Sequence, residues 1–313
     1  TVAATPPSRF TPLMGTLPLV DADGNLIVPI FTSNPLTAAP YKDRETFDEP
    51  TWRIALDHQV RDDTMIYASY SRGFKSGVYN MTSPTNPVVE PEILDVFEIG
   101  AKMELLDNRL RLNTAAFYYQ YDQLQVTIIE GAANTLLNAA EAEVTGVDLE
   151  FVAALTESLT LTGGGAWLDA TYKDFQSAPF AIQDPSMSMG TPIIIQPGDA
   201  SGNNLIQTPE LSLNLALDYF LATSMGQFRA TMAYAWRDEY AFEPDQSIIQ
   251  ESYGLLNASL GLNMISGSGW SASLWGRNLT DEEYLVTGLT SQLVQLGQAG
   301  APRTYGVTVS YEF

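Results

Sequence analysis

The chain has 313 residues, 45% of them apolar and 17% charged, with a formal net charge of -22 and no cysteine. So acidic a surface repels nucleic acid, and without thiols there are neither disulfides nor thiolate metal sites. No apolar run reaches the roughly 18 to 20 residues of a membrane helix, but a spanning β-strand needs only about 9 to 11 residues of alternating pattern.

The chain starts with "TVAATPPSRF", which has no methionine and no basic-then-apolar signal segment. The segment "DADGN" (21–25) resembles part of a calcium loop but lacks the downstream glutamate, so it reads as a solvated Asp-Gly turn. A strand at "GNLIVPIFT" (24–32) would be interrupted by Pro29. Residues 1–49 are therefore expected to be a loop or irregular remnant of a preceding barrel region.

From residue 50 onward a period of two dominates. About eleven segments satisfy it, near 50–60, 63–75, 94–106, 109–129, 142–155, 158–173, 209–221, 226–239, 251–264, 269–278 and 303–313. In the third, Phe97, Ile99, Ala101, Met103 and Leu105 alternate with Glu98, Gly100, Lys102 and Glu104. In the last, Tyr305, Val307, Val309, Tyr311 and Phe313 alternate with small or polar residues. The connections alternate too. Short ones at 61–63, 107–108, 156–158, 222–226 and 266–269 interleave with long ones near 76–93, 130–141, 174–208, 240–250 and 279–302.

Hairpin register follows from the turns. A two-residue turn at Asp107–Asn108 sets Leu105 against Leu110, Met103 against Leu112 and Phe97 against Tyr118. On the other face Glu104 then meets Arg111, a cross-strand ion pair that contributes little when wetted. The turn at "TES" (156–158) sets Phe151 over Gly163, an aromatic ring covering a strand glycine.

Sites of chemistry are scarce. The sole histidine, His58, shares a face with Trp52, Ile54, Leu56 and Val60 and has no partner that would make it a base or ligand. "TGGGAW" (162–167) has no following helix and reads as strand, and "NLT" (278–280) is an incidental glycosylation match. Acidic residues near loop ends, such as Glu90, Asp281 and Glu283, read as a solvated face. No catalytic residue, cofactor or metal site is expected. Ligand contacts should come from the polar face and the long loops, with loop 174–208 first for its length and its apolar centre "TPIIIQP".

A soluble β-sandwich binding module also alternates, with its apolar face as the core. Two features favour lipid instead. Aromatics stand towards strand ends, among them Tyr67, Tyr70, Tyr118, Tyr119, Trp167, Trp236 and Trp270, and the opposite face carries mid-strand charges such as Glu98, Lys102, Asp148 and Arg229. The pattern predicts an all-β, transmembrane, antiparallel up-and-down β-barrel.

Particular stretches carry a resemblance. "DDTMIYASYSRGFKSGVYN" (62–80), "EILDVFEIGAKMELLDNRLRLNTAAFYYQYDQLQV" (92–126), "NAAEAEVTGVDLEF" (138–151), "WGRNLTDEEYLV" (275–286) and "APRTYGVTVSYEF" (301–313) together resemble the TonB-dependent receptors of the Gram-negative outer membrane. The resemblance implies part of a 22-stranded barrel, with residues 50–313 as its C-terminal portion. Such receptors have a signal, an energy-coupling box and a plug domain. None is recognisable here, and an odd strand number cannot close antiparallel on itself, so a fragment is expected.

The resemblance further implies outer-membrane uptake of a scarce nutrient such as a ferric siderophore. The implied partners are outer-membrane lipid and lipopolysaccharide, a small-molecule ligand, the barrel-assembly machinery acting on the final strand and its Phe313, and the TonB energy-coupling complex in the intact parent. A passive porin or adhesin built on the same barrel is the alternative.

Overall fold

The computed structural model describes residues 44–79, 88–130, 133–138, 141–183, 193–263, 269–291 and 294–312. All elements below belong to the unit Phe47–Phe313. The chain begins with β1 (Trp52–Arg61) and β2 (Thr64–Lys75), then a small pair β3 (Val78–Tyr79) and β4 (Val88–Val89). Long strands β5 (Glu92–Leu105) and β6 (Leu110–Asp122) follow, then a pair β7 (Gln125–Glu130) and β8 (Ala133–Asn138). The pattern repeats with β9 (Glu141–Ala154) and β10 (Leu159–Asp174), then β11 (Ala178–Gln183) and β12 (Ile193–Gly198). Next come β13 (Leu211–Thr223) and β14 (Gly226–Arg237), then β15 (Tyr240–Ala241) and β16 (Ile249–Gln250). Last are β17 (Tyr253–Asn263), β18 (Trp270–Arg277), the pair β19 (Leu285–Thr290) and β20 (Gln295–Ala299), and β21 (Thr304–Tyr311).

The long strands form one 11-stranded sheet in the order β1-β2-β5-β6-β9-β10-β13-β14-β17-β18-β21. Each pairs antiparallel with the long strand next in sequence, and among the described residues β1 and β21 are the sheet's two edges. Tight turns set the register. Asp107 and Asn108 take φ of 55° and 64°, as a hairpin turn of the primed type requires, and the Arg109 N–H bonds the Leu106 carbonyl at 3.2 Å. The pairs Leu105–Leu110, Glu104–Arg111, Phe97–Tyr118 and Phe151–Gly163 all form in the expected register.

Because every register is in phase, one apolar row crosses most of the sheet. It runs Leu105, Leu110, Ala153, Leu161, Leu217, Met232, Ala258, Gly276, Tyr305. This face is not a core. Leu56 is 74% exposed, Ile99 62% and Val307 68%. A soluble sandwich would bury such residues against a second sheet. The apolar face is instead the outer, lipid-facing surface of a barrel wall. A groove of about 510 Å³ on it is a shallow dent where Ala68, Ala101 and Ala116 lie between larger side chains.

The buried side chains lie on the other face, towards the long-loop end. Phe117, Val144 and Ala170 form one cluster, and Val126, Ala142, Tyr172, Phe175, Ala178 and Ala200 another. The loops supply Val126, Phe175, Ala178 and Ala200, so the core sits where loops fold onto the inner wall.

Two expectations need correction. The strand expected over 109–129 breaks after Asp122, because Gln123 takes φ of 56° and the chain resumes as β7. Each long connection also holds a small two-stranded sheet that has no sequence signature of its own. Tyr67 and Tyr119 do not join an outer aromatic girdle. They stand an odd number of residues from outward-facing Tyr70 and Tyr118, which puts them on the inner face. The segments 21–25 and 24–32, most of the turn at 266–269, and Phe313 lie outside the described residues.

Candidate functional site

The inner wall is polar over most of its height. Arg229 bonds Asp218 at 2.8 Å, the Thr231 and Ser259 hydroxyls stand 2.7 Å apart, and the Trp275 indole N–H bonds the Thr308 hydroxyl at 3.1 Å. Glu104 and Arg111 approach to 3.3 Å near the short-turn end, both well exposed. Glu98, Asp148 and Glu150 add acidic groups higher on the same face. Glycines beneath aromatic rings keep parts of this wall smooth. A Cβ on Gly100 would come within 2.6 Å of the Tyr67 ring, and one on Gly306 within 2.6 Å of Trp275.

At the long-loop end, side-chain amides fix the loops to the strands. Gln125, 8% exposed, donates to the carbonyls of Ser76 (3.1 Å) and Glu90 (3.0 Å). Asn138 accepts from the Glu90 N–H at 2.7 Å and donates to its carbonyl at 2.9 Å, so the connection after β2 is pinned beside β7 and β8.

The connection after β10 folds back along its own strand. The Leu205 N–H bonds the Ala170 carbonyl (2.9 Å) and the Tyr172 N–H bonds the Asn203 carbonyl (3.0 Å), which brings Ala200 and Leu205 onto the buried clusters. Hydrogen bonds from the Ser201 side chain and backbone hold the Asp199 carboxyl below its usual range. Further round, burial pushes the Tyr240 phenol up to about 12, with help from Tyr253.

The connection after β18 is rooted on Asn278, 5% exposed. Its side chain donates to the carbonyls of Glu282 (2.8 Å) and Ala301 (3.1 Å) and accepts from the Glu282 N–H (2.8 Å). Its own N–H bonds the Asn257 side chain at 2.9 Å. What reads in sequence as an incidental "NLT" is a loop anchor.

The loops meet around a cavity of about 110 Å³ lined by Val126 and Thr127, Pro179, Ala181 and Ile195, Phe242 to Asp245, and Gly288 to Thr290. Ile195 comes from the "TPIIIQP" stretch of loop 174–208; Ile194 beside it points to solvent, and residues 184–192 lie outside the described residues. Glu243 and Gln250, which tie these loops together, went unnoticed in the sequence because nothing local distinguishes them. His58 stands on the outer apolar face, and Tyr305, Val307, Val309 and Tyr311 form an exposed outer row on β21. Among the described residues no group of three or more His, Asp or Glu side chains is placed to hold a metal ion.

An antiparallel up-and-down sheet with an apolar outer face, a polar inner face, tight turns at one end and interlocked loops at the other is the wall of an outer-membrane-type β-barrel. The chain belongs to the TonB dependent receptor-like β-barrel family, whose description matches residues 30–279. The pesticin receptor of Yersinia pestis is 23% identical over 269 residues, which is 85% of this chain and 36% of that protein. The metal-pseudopaline receptor of Pseudomonas aeruginosa is 32% identical over 127 residues, 41% of this chain and 18% of that protein. In fold, the ferric yersiniabactin uptake receptor of Yersinia pestis superposes with a TM-score of 0.67 at 20% identity, over 83% of this chain and 37% of that one. The chain thus spans little more than a third of the pesticin receptor's length.

Proposed function

We propose that the protein is part of an outer-membrane receptor that captures a ferric siderophore or similar metal chelate at its long-loop end. The loaded receptor passes its cargo inward when driven by the TonB energy-coupling complex. The task is binding and gated passage rather than catalysis. The observation that carries this reading is the sheet itself: an exposed apolar outer face backed by a polar wall, with loops packed onto that wall at one end only. Loops packed onto the wall suit a barrel whose lumen is filled, in contrast to the open water-filled channel of a porin. The printed names of relatives point the same way, since one is a probable TonB-dependent siderophore receptor of Acinetobacter baumannii, 28% identical over 143 residues.

Residues 50–313 act in this reading as the C-terminal portion of the barrel, and residues 1–49 as the preceding loop region. The outer row Tyr305, Val307, Val309 and Tyr311 meets lipid, and the end of β21 with Phe313 serves recognition by the barrel-assembly machinery. Lipopolysaccharide contacts the outer end of the apolar face. Loop 174–208 and inner-wall side chains touch the ligand.

The test is uptake of radioactive iron from ferric siderophores by iron-starved cells with and without the gene. Uptake of at least one chelate should fall to background on deletion and on loss of the coupling complex. Unchanged uptake of every chelate would contradict the reading, and so would stable single-channel conductance from the purified receptor without any coupling.

A further inference from the structure

One row of the ladder joins Leu105 on β5, Ala153 on β9, Leu161 on β10, Met232 on β14 and Tyr305 on β21, all on the outer face. Above this row, towards the long-loop end, the outer face of each strand meets a first charged side chain. It is Asp95, ten residues above Leu105, and Glu143, ten above Ala153. It is Asp169, eight above Leu161, and Asp238, six above Met232. On the last strand it is Arg303, two above Tyr305. The height of the charge thus falls from ten residues to two over the eight strand steps from β5 to β21, one residue per strand.

A second series of side chains follows the same slant. The outer-face residue just below the charge is aromatic on β5 (Phe97), β10 (Trp167), β14 (Trp236) and β21 (Tyr305). Tyr70 below Arg72 extends it to β2, and Tyr118 below Gln120 to β6. The foot of the wall slants in parallel. Ten residues below each charge stands the last apolar outer-face side chain within the strand: Leu105 on β5, Ala153 on β9, Leu159 on β10 and Phe228 on β14. A slip of one residue per strand is about 3.3 Å of rise for about 4.8 Å of sideways spacing, so the strands tilt by about 35° across this band. Ten residues at that tilt reach about 27 Å, which matches the roughly 25 Å apolar band and the tilt of outer-membrane barrels.

We infer that this face seats a lipid bilayer whose hydrocarbon layer has two defined edges on the wall. The outer edge runs through Asp95, Glu143, Asp169, Asp238 and Arg303, and the inner edge through Leu105, Ala153, Leu159 and Phe228. This placement rests on the lipid-facing reading of the wall and adds where the lipid stops. Charges at the outer edge reach headgroups and water, and the rings just below them lie in the interface. Three of the five are paired there, Asp95 with Arg72, Glu143 with Lys173 (2.8 Å) and Arg303 with Asp281 (3.2 Å), as suits charges beside a layer of low dielectric. The two ends of the wall then differ. Ala142 and Tyr172 lie above the outer edge, and the buried loop cluster they share with Phe175, Ala178 and Ala200 stands outside the membrane. At the other end Leu106 and Met225, 71% and 63% exposed, carry apolar surface onto the turns themselves, which lie in the opposite headgroup layer.

The experiment measures depth along that single ladder row. A small fluorophore is attached to Leu105→Cys, Met232→Cys or Tyr305→Cys in the full-length protein, folded into phosphatidylcholine vesicles. Leu105 lies on the inner edge, Met232 near mid-depth and Tyr305 just inside the outer edge. Lipids brominated near the chain end should therefore quench the Met232 label at least about twofold more than either other label, and lipids brominated near the headgroup should reverse the order. Equal quenching at all three sites would mean that the edges follow the row instead of crossing it, and would overturn the placement. Chain-end quenching at Asp169→Cys or Asp238→Cys as strong as at Met232 would overturn it too. Where a label blocks insertion, Leu110, Leu217 and Arg303 stand at matching heights and replace Leu105, Met232 and Tyr305. Equal quenching leaves the lipid-facing wall intact, whereas no quenching at any site contradicts that wall and the receptor reading with it.

Discussion

At the scale of single residues, buried amides do more than charges. The pairs Glu104–Arg111, Glu143–Lys173, Asp218–Arg229 and Asp281–Arg303 are exposed and contribute little, whereas Arg72 holds a buried Asp95 that also accepts from the Tyr70 hydroxyl. Asn278 is different. Replacing it with alanine strands the Glu282 N–H and leaves two carbonyls without their donor in a site 5% exposed. Each such orphan costs about 1–3 kcal/mol, so Asn278→Ala should lower the urea midpoint of the folded barrel by an amount equivalent to at least about 2 kcal/mol. Asn278→Asp keeps the acceptor but turns a carboxylate oxygen onto the two carbonyls that Asn278 donates to, so it should lose at least as much. Equal midpoints for all three proteins would refute the anchor role. The Glu104–Arg111 and Phe151–Gly163 pairs were legible in the sequence because a tight turn dictates what faces what along its hairpin. Asn278 was not, because its partners at 257, 282 and 301 depend on where a long loop returns.

At the scale of elements, the long strands were legible nearly to their ends, since one side meets lipid and the other a polar wall and the alternation is therefore strict. Gln123 was the exception, a non-glycine residue in the left-handed region that ends β6 without any turn signature in the sequence. The loop hairpins were missed for another reason. Strands as short as Val78–Tyr79 or Tyr240–Ala241 have no room to show a period. The two faces of one strand make a sharp prediction. Leu215 on β13 is 44% exposed on the apolar side, and Ala216 beside it faces the wall. Leu215→Arg should cost about 2–4 kcal/mol in a bilayer and Ala216→Arg far less. Folding titrations from urea into vesicles would show it. Equal costs would mean that both faces meet water.

At the scale of the whole molecule, the sheet inverts the usual arrangement of a soluble protein. One face of its long strands exposes a row of large apolar side chains, and its buried clusters lie where loops cover the other. The barrel wall could be read from sequence, but the interlocking of the loops could not, because side chains from separate loops meet only once the sheet has aligned their roots. Function as an outer-membrane receptor requires that the apolar face meet lipid. It can be tested by spin-labelling single cysteines along Leu211–Leu221, a simple design because these 313 residues contain no cysteine. In a bilayer, a lipid-facing strand predicts high oxygen accessibility at Leu211, Leu213, Leu215, Leu217, Tyr219 and Leu221. It predicts access for a water-soluble nickel chelate at Ser212, Asn214, Ala216 and Asp218. Nickel access at both sets, or leucine positions closed to both reagents as in a soluble core, would contradict it.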